Sequence, residues 1–243
     1  MTDVETPKCV LVTGVSRGLG LAITTRLLAE GYRVLGLGRT AGGFAALADQ
    51  TDRAVFEPLD LGDSIAITET ARAVVKRERR IWGLVNNAGT GLDGVLATMH
   101  QSEIERVLAV NLTGPITLAK FLSRPMMAAG EGRIVNISSI IASTGFHGLS
   151  VYAASKAGLE GFTRSLSREV GKRGVTVNCV APGYMETEMT AGIEGGRLDQ
   201  IRRRAPLGLA DPEDAAAAVA YLLGPGGAKV TGTVMTVDGG STA

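Results

Sequence analysis

Short apolar runs alternate with longer stretches of helical periodicity along the whole chain. The runs are rich in Val, Leu and Ile and are apolar at successive positions, as in strands that are covered on both faces. They predict strands at 8–12, 33–37, 54–57, 82–85, 133–137, 175–180 and 233–237. Apolar residues spaced three and four apart predict helices near 19–30, 64–78, 98–127, 151–171 and 211–223. Repeated strand–helix–strand units require right-handed crossovers, so the pattern predicts an α/β fold with a doubly wound, parallel, seven-stranded sheet and helices on both faces.

Composition and charge narrow the class of protein. The chain has 243 residues, of which 45% are hydrophobic and 20% charged, and it contains no linker, repeat or low-complexity segment, so we expect one domain over residues 1–243. The formal net charge of +1 argues against binding to nucleic acid. No apolar run reaches the roughly 18–20 residues of a membrane span, and the first residues lack the basic and apolar regions of a signal peptide. We therefore expect a cytoplasmic protein that binds neither nucleic acid nor membrane.

The cysteines and histidines do not suggest metal chemistry. Cys9 and Cys179 each lie in an apolar run that predicts a strand, so we expect two buried, reduced thiols. The two histidines, His100 and His147, have no partner at the spacing of metal ligands. His147 could touch a substrate, but a surface loop position is the simpler interpretation. The sequence predicts no metal site.

A glycine-rich segment follows the first predicted strand and opens the first predicted helix. Its sequence is Thr13-Gly14-Val15-Ser16-Arg17-Gly18-Leu19-Gly20. The three glycines permit a tight turn and allow backbone N–H groups to approach a pyrophosphate at the positive end of the helix. A glycine triplet alone also occurs in ordinary turns, but its place between a strand and a helix favours dinucleotide binding. The sequence therefore predicts a Rossmann-type domain.

The residues after the second predicted strand indicate which dinucleotide is bound. A site for NAD usually places a carboxylate there on the ribose 2′-hydroxyl, but this chain has Gly38-Arg39-Thr40. Arg17 provides a second guanidinium from the glycine-rich segment, and two guanidiniums suit a 2′-phosphate. We therefore predict NADP(H), with two solvated surface arginines as the alternative. Asp60, after the third strand, either accepts a hydrogen bond from the adenine amino group or serves as a turn or helix-cap residue.

Tyr152 and Lys156 lie one turn apart on the same face of a predicted helix. A phenol with a pKa of ~10 is a poor acid–base catalyst at neutral pH, and a nearby ammonium favours the phenolate and lowers that pKa. Such a pair also arises by chance. A catalytic role of the pair is supported by Ser138 and Ser139. These serines follow the fifth predicted strand at the carboxyl edge of the sheet, where open α/β sheets bind ligands.

Together these motifs resemble the short-chain dehydrogenase/reductase family over essentially the whole chain. The matching residues are TGxxxGxG at 13–20, Asn86-Asn87-Ala88-Gly89, Asn111, Ser139, Tyr152 with Lys156, and Pro182-Gly183. The resemblance implies a catalytic tetrad of Asn111, Ser139, Tyr152 and Lys156, and the family spacing favours Ser139 over its neighbour. Ser139 would hold the substrate oxygen, and Tyr152 would donate the proton. Lys156 would lower the pKa of Tyr152 and bind the nicotinamide ribose, and Asn111 would hold a water that connects Lys156 to solvent.

The resemblance also implies which residues contact the cofactor. Residues 86–89 would line its adenosine side, and residues 180–187 would close over the nicotinamide. The full predicted cofactor set is Gly14, Ser16, Arg17, Gly18, Leu19, Gly20, Arg39, Thr40, Asp60, Leu61, Asn87, Ala88, Gly89, Tyr152, Lys156, Pro182, Gly183 and Thr187.

Within the family, residues 178–190 and 234–240 resemble the 3-oxoacyl-(acyl-carrier-protein) reductases. Arg124 and Arg173 fall where those enzymes present basic residues to the acidic carrier protein, although surface arginines are often merely solvated. We therefore expect an acyl-carrier protein to dock through these two arginines.

One stretch, residues 143–151, departs from this subgroup because it lacks the usual Gln-x-Asn before the tyrosine. Phe146 and Leu149 make this wall more apolar, which suits a longer, unsaturated or aromatic acyl chain. The departure leaves primary fatty-acid synthesis in doubt and a secondary-metabolite pathway open. The predicted substrate-lining residues are Phe146, Leu149, Tyr184 and Met185.

Three hypotheses for the function remain open. The first is NADPH-dependent reduction of a 3-oxoacyl thioester that is linked to an acyl-carrier protein or to CoA. The second is an NADP(H)-dependent reductase or dehydrogenase of a free small ketone, sugar or steroid alcohol. The third is a noncatalytic protein that binds the cofactor, against which the intact tetrad argues.

Two further expectations concern a lid and the assembly. Residues 185–206 lie beside Tyr152, and their glycines and weak periodicity predict a lid over the nicotinamide, ending in Arg202-Arg203-Arg204. These arginines would bind a phosphopantetheine phosphate or an acidic carrier, or are merely solvated. We expect a homotetramer, because the helices near 98–127 and 151–171 carry apolar or small residues on more than one face. These residues are Val107, Val110, Leu118, Ala119, Phe121, Ala157, Gly158, Phe162 and Leu166.

Overall fold

The computed structural model describes residues 7–78, 80–185 and 201–243. Its strands are β1 (Cys9–Thr13), β2 (Arg33–Gly38), β3 (Ala54–Pro58), β4 (Ile81–Asn86), β5 (Gly132–Ile137), β6 (Val175–Pro182) and β7 (Val234–Val237). They form one sheet in the order β3-β2-β1-β4-β5-β6-β7, in which every neighbouring pair is parallel. The predicted doubly wound, parallel α/β sheet is confirmed. That residues 1–243 form a single domain stays a prediction.

Helices cover both faces of this sheet. They are α1 (Gly18–Ala29), α2 (Phe44–Ala48), α3 (Ser64–Arg77), α4 (Gln101–Leu108), α5 (Gly114–Ala129), α6 (Ile141–Thr144), α7 (Ser150–Val170) and α8 (Pro212–Leu223). A π-helical turn at Ala109–Thr113 joins α4 to α5, and residues 201–204 are also helical. None of the helices in the described ranges is long and apolar enough to cross a membrane.

Residues of β1 to β6 divide between two separate hydrophobic clusters, one on each face of the sheet, and β7 contributes to one of them. In β1, Cys9 and Leu11 pack with side chains of α3, α5 and α7, while Val10 and Val12 pack with those of α1 and α8. Every residue of β1 is buried, and so is every residue of β6. Burying such an aliphatic side chain contributes about 1.5–3 kcal/mol. The continuous apolar runs in the sequence follow from this two-sided burial.

The single helix predicted near 98–127 is wrong, because this stretch holds α4, the π-helical turn and α5. Pro115 lies in the first turn of α5. Proline has no N–H to continue the hydrogen bonds of the preceding turn, so a new helix begins there. The wider π-helical turn absorbs the change of register and carries Asn111. α2 and α6, with five and four residues, are too short for periodicity to predict.

Candidate active site

A cleft of about 1900 Å³ opens at the carboxyl edge of the sheet, where the strand order reverses between β1 and β4. Open α/β sheets bind their ligands at this position. Every described residue of the predicted cofactor and substrate sets lines the cleft, and Thr187 lies outside the described residues. The predicted catalytic residues that line it are Ser139, Tyr152 and Lys156. The fold therefore brings the predicted groups together, while their roles stay predictions.

The glycine-rich loop between β1 and α1 has no space for side chains at two positions. Gly14 has a φ of +73°, and a Cβ on it would lie 2.8 Å from the Cα of Ala88. A Cβ on Gly20 would overlap the carbonyl oxygen of Gly14. Both obstacles are backbone atoms, which cannot move without disturbing the sheet. The loop thus presents bare backbone at the N-terminus of α1, and this cradle fits a pyrophosphate.

Thr13 holds the cradle against the loop that follows β4. Its Oγ1 accepts the N–H groups of Asn87 and Ala88 at 3.0 and 2.9 Å. In return, the side-chain amide of Asn87 donates to the carbonyl oxygens of Thr13 and Gly14 at 2.8 and 3.1 Å. Sequence reasoning used Thr13 only as the first residue of the motif. Its bonding role was missed, because the partners are distant in the chain.

Charged residues gather at the end of the cleft beside β2 and β3. Arg17 and Arg39 line this end, where a 2′-phosphate is predicted. Oδ1 of Asp60 accepts the N–H of Gly62 at 2.8 Å, so Asp60 is a turn residue, one of the two roles that the sequence left open. Its contact with adenine stays a prediction. Sequence reasoning missed Arg106 of α4, which also lines the cleft and forms an ion pair with Asp60 at 2.8 Å.

Ser139 and Tyr152 line the cleft as neighbouring residues, and the Ser139 side chain acts on the Tyr152 hydroxyl to lower its pKa. Ser139 follows β5, and Tyr152 lies in the first turn of α7, so two elements of the fold meet at this pair. The neighbouring hydroxyl of Ser138 donates instead to a carboxylate oxygen of Glu160 at 2.7 Å and is buried. Ser139 is therefore the serine that is placed to act together with Tyr152.

Lys156 lies buried next to Tyr152. Its Nζ donates to the carbonyl oxygen of Ile137 at 2.7 Å and lies 5.7 Å from the centre of the Tyr152 ring. Burial lowers the pKa of Lys156 from 10.5 to about 8, against a smaller opposing effect of Cys179. Burial also raises the pKa of Tyr152, although its hydrogen bond with Ser139 acts to lower it. The expected net lowering of the Tyr152 pKa is therefore wrong for this arrangement, because burial outweighs the stabilisation of the phenolate.

Asn111 is fully buried behind the cleft, on the π-helical turn. Its Oδ1 accepts the N–H of Thr90 at 2.8 Å, and its Nδ2 donates to the carbonyl oxygen of Thr90 at 2.9 Å and to Ser155 Oγ at 3.1 Å. These bonds hold the loop after β4 in place. Gly89 of this loop lies close to Lys156, because a Cβ added to Gly89 would be 3.4 Å from the Nζ of Lys156. Both N–H groups of the side-chain amide are thus engaged with protein groups, and the water contact of Asn111 stays a prediction.

The model of the short chain dehydrogenase family matches residues 8–197. The chain belongs to this family. Among curated relatives, it is 39% identical over 235 residues to the 3-oxoacyl-(acyl-carrier-protein) reductase FabG of Vibrio cholerae, with 96% of each chain covered. It is 38% identical over 240 residues to the enzyme of the same name from Escherichia coli K12, again with 96% of each chain covered.

Solved structures of similar fold include two with a nicotinamide cofactor. One is described as an NAD(P)-dependent gluconate 5-dehydrogenase from Beutenbergia cavernae with bound NADP, with 34% identity, a TM-score of 0.91, and 98% of this chain and 97% of that chain covered. The other is a blue fluorescent protein from a metagenomic library in complex with NADPH, with 34% identity, a TM-score of 0.88, and 97% and 98% covered.

Two loops of this short chain dehydrogenase form an apolar mouth at one side of the cleft. The N–H of Gly94 donates to the carbonyl oxygen of Gly148 at 3.0 Å and ties the loops together. Val95 on one loop and Phe146 on the other line the cleft, with 54% and 42% of their surface exposed. Sequence reasoning missed Val95, which lies in a stretch without periodicity. His147 is exposed in the second loop, as predicted, and it also lines the cleft, so its contact with a substrate stays a prediction.

The C-terminal residues also reach the cleft, through Ser241 and Thr242. The carboxylate of Asp238 accepts both of their hydroxyl groups, at 3.0 and 2.6 Å, and the N–H of Gly240 at 2.9 Å. A Cβ on Gly183 would lie 2.7 Å from the Cβ of Asp238, so this tail packs directly against the end of β6. Sequence reasoning missed this contact, because residues 234–240 were interpreted only as a strand and its end.

The remaining sequence predictions lie away from the cleft or outside the described residues. Arg124 on α5 and Arg173 after α7 are exposed and do not line the cleft. Most of the predicted lid, residues 186–200, lies outside the described residues, but Arg204 lines the cleft.

Both cysteines are buried free thiols, as predicted, and burial raises the pKa of Cys9 to about 11 and that of Cys179 to about 12.

Proposed function

We propose that this short chain dehydrogenase reduces a 3-oxoacyl thioester to the 3-hydroxyacyl thioester with NADPH, the acyl group being carried on an acyl-carrier protein or on CoA. The observation that carries the proposal is that Ser139, Tyr152 and Lys156 line the same cleft as the glycine cradle, with the Lys156 ammonium 5.7 Å from the centre of the Tyr152 ring. The relatives named as 3-oxoacyl-(acyl-carrier-protein) reductases match 96% of the chain, so the likeness covers the cradle and the catalytic residues alike. NADP or NADPH in the similar structures supports the same cofactor here.

The residues of this site divide the chemistry between them. Bound NADPH supplies the hydride that reduces carbon 3 of the substrate. The hydroxyl groups of Ser139 and Tyr152 hold the 3-oxo oxygen, and Tyr152 gives its phenolic proton to that oxygen as the carbon–oxygen double bond is reduced. The raised pKa of Tyr152 keeps it protonated at neutral pH, as an acid must be before the step. The ammonium of Lys156 favours the phenolate that remains and binds the ribose.

The cofactor is selected at the far end of the cleft. Arg17 and Arg39 bind the adenosine 2′-phosphate, and each charge-assisted contact contributes about 1.5–3 kcal/mol before solvent screening reduces it. The glycine cradle binds the pyrophosphate with backbone N–H groups, and Asp60 accepts the adenine amino group. Arg39→Asp should therefore lose the preference for NADPH over NADH, measured as the ratio of kcat/KM for the two cofactors.

The substrate occupies the apolar mouth. Phe146, Leu149, Tyr184 and Met185 line it together with Val95, and exposed apolar side chains suit an acyl chain. The carrier protein docks on Arg124 and Arg173, and the lid arginines at 202–204 approach its phosphopantetheine phosphate. Arg124→Glu with Arg173→Glu should raise KM for a carrier-bound substrate and leave the matching N-acetylcysteamine thioester unaffected.

The assembly is proposed to be a cytoplasmic homotetramer. Of the residues that suggested it, Phe121, Gly158 and Phe162 are partly exposed in the single chain, and Ala157 is exposed, so a partner chain could cover them. The others are buried within one chain and belong to its own core. These are Val107, Val110, Leu118, Ala119 and Leu166.

A second candidate is oxidation or reduction of a free sugar acid or small ketone. It is favoured by the likeness to the structure described as a gluconate 5-dehydrogenase, at a TM-score of 0.91. The exposed apolar mouth argues against a strongly hydroxylated substrate, which would leave these side chains in contact with polar groups. Turnover of gluconate or of free ketones, without turnover of any acyl thioester, would favour this candidate.

The proposed function is tested by following NADPH oxidation with 3-oxoacyl thioesters of N-acetylcysteamine, of CoA and of an acyl-carrier protein. Tyr152→Phe should bind NADPH nearly as well as the wild type and keep less than about a tenth of kcat, since only the transferable proton is removed. Tyr221→Phe, at an exposed tyrosine of α8, is the matched control. Full turnover in Tyr152→Phe would contradict the acid role, and a wild type that is inactive on all three thioesters would contradict the substrate.

A further inference from the structure

Arg106 reaches the adenosine end of the cleft from α4, an element that belongs to neither the glycine-rich motif nor the catalytic tetrad. Its Nη2 donates to Oδ1 of Asp60 at 2.8 Å and to Oδ2 at 3.1 Å. A Cβ on Gly62 would overlap the Arg106 guanidinium. In its present position the guanidinium therefore occupies the space beside Gly62 that a side chain at residue 62 would need.

The carboxylate of Asp60 is held in one orientation by these contacts. Oδ1 accepts two hydrogen bonds, one from Arg106 and one from the N–H of Gly62 at 2.8 Å. Oδ2 accepts one bond from Arg106 and keeps room for a further donor. A negative charge at the end of β3 is thus neutralised by a side chain from α4.

Arg39 lies within electrostatic reach of the same carboxylate. Burial acts to raise the pKa of Asp60, but the Gly62 N–H, Arg106 and, through its charge, Arg39 lower it, and the net pKa lies below the ordinary value. The charges of Asp60 and Arg39 therefore act on each other. Without Arg106, the Asp60 carboxylate would attract the Arg39 guanidinium and would repel a phosphate placed beside it.

We propose that Arg106 is a positioning residue for cofactor selection: by pairing with Asp60, it keeps this carboxylate from engaging Arg39 and from repelling the 2′-phosphate of NADPH. The inference rests on the proposed cofactor site and adds to it a residue from outside the motifs. It makes preference for NADPH depend on three side chains from three elements. Arg39 supplies one contact in addition to that of Arg17, Asp60 is the potential competitor for Arg39, and Arg106 neutralises that competitor.

The test is the ratio of the dissociation constants of NADPH and NADH, measured by calorimetric titration without substrate. NADPH and NADH share the adenine, so a change in base binding or in overall folding cancels in the ratio, and only the 2′-phosphate contributes. Arg106→Ala should lower the preference for NADPH about tenfold, the order of one charge-assisted contact. Arg106→Lys, which keeps the charge, should retain most of the preference. Arg168→Ala, at an exposed arginine of α7, is the matched control.

The decisive variant is Arg106→Ala combined with Asp60→Asn. With the carboxylate removed, neutralisation is no longer needed, and the preference for NADPH should return to near the wild-type ratio. A ratio that stays low in the double variant would overturn the proposal, because Arg106 would then act on the phosphate directly. A parallel loss of both affinities in Arg106→Ala, with the ratio unchanged, would overturn it in favour of a purely structural role. Normal ratios in a protein that turns over no thioester would refute the proposed substrate and leave this inference supported.

Discussion

Replacing Lys156 by Met is expected to abolish catalysis and at the same time relieve a cost to the fold. Lys156 is 3% exposed, and burial lowers its pKa from 10.5 to about 8. One pKa unit corresponds to about 1.4 kcal/mol, so below pH 8 the buried charge destabilises the folded chain by about 3 kcal/mol. Met has an unbranched side chain of similar length without the charge. The variant also leaves the carbonyl of Ile137 without its donor, which offsets the gain by about 1–3 kcal/mol.

The pH dependence separates these two effects. Between pH 8 and 10.5 the folded chain has lost the Lys156 proton while the unfolded chain still holds it. Stability rises with pH wherever the unfolded chain binds more protons, so the wild type should become more stable across this window. Lys156→Met lacks the titrating group and the rise. The free energy of unfolding of the variant relative to the wild type should therefore fall by about 2 kcal/mol between pH 7 and pH 10.

Urea unfolding, followed by the fluorescence of the single tryptophan, measures both free energies. Trp82 is 6% exposed, and its indole N–H donates to the carbonyl oxygen of Leu223 at 3.1 Å, so unfolding changes its surroundings. Lys76→Met, at an exposed lysine of α3, shows what the loss of a lysine does outside the core. A difference between Lys156→Met and the wild type that is the same at pH 7 and pH 10 would refute the reasoning. Retained turnover in Lys156→Met would separately refute its catalytic role.

Gly20→Ala is expected to remove NADPH binding in a titration, because its Cβ would overlap the carbonyl oxygen of Gly14, whereas Gly171→Ala, where a Cβ meets no described atom within 4 Å, should bind normally. Phe146→Ser should lower kcat/KM about tenfold for a long-chain 3-oxoacyl thioester and little for a short one, since about 1.4 kcal/mol of apolar contact is lost. Ile65→Ser, exposed on α3, is its control, and equal losses on both chain lengths would argue against an acyl contact. Sedimentation at micromolar concentration should give the mass of a tetramer, and a monomeric mass would contradict the proposed assembly.

The parts of the site that the sequence predicted are those encoded by neighbouring residues. The cradle needs glycines at 14, 18 and 20 next to a strand and a helix, and all three conditions are visible within a short segment. The sheet was predictable for a similar reason, because burial on both faces makes strands such as β1 apolar at consecutive positions. Tyr152 and Lys156 are one helical turn apart, so periodicity alone places them on one face.

The missed features depend on depth and on contacts between distant residues. Arg106 pairs with a residue 46 positions away, and no local spacing connects the two. The predicted direction of the Tyr152 pKa shift was wrong. The spacing of residues shows that a charged group is near the phenol, but it does not show how deeply the phenol is buried, and burial raises the pKa. In the same way, the sequence placed Val107 and Leu118 on a helix face that a partner chain would cover. In the fold both side chains are buried in the core of the single chain.

Through Thr13, the cofactor cradle depends on contacts between distant parts of the chain. Its hydroxyl binds Asn87 and Ala88, which lie 74 and 75 positions further along the chain, so the cradle is complete only after β4 has paired with β1. Closing such a loop costs chain entropy before any contact compensates for it. A nascent chain that has emerged as far as β3 already carries the full glycine motif but cannot hold the loop after β4 against it. Because a ligand stabilises only the state that binds it, cellular NADPH would selectively stabilise molecules in which both halves of the sheet have joined.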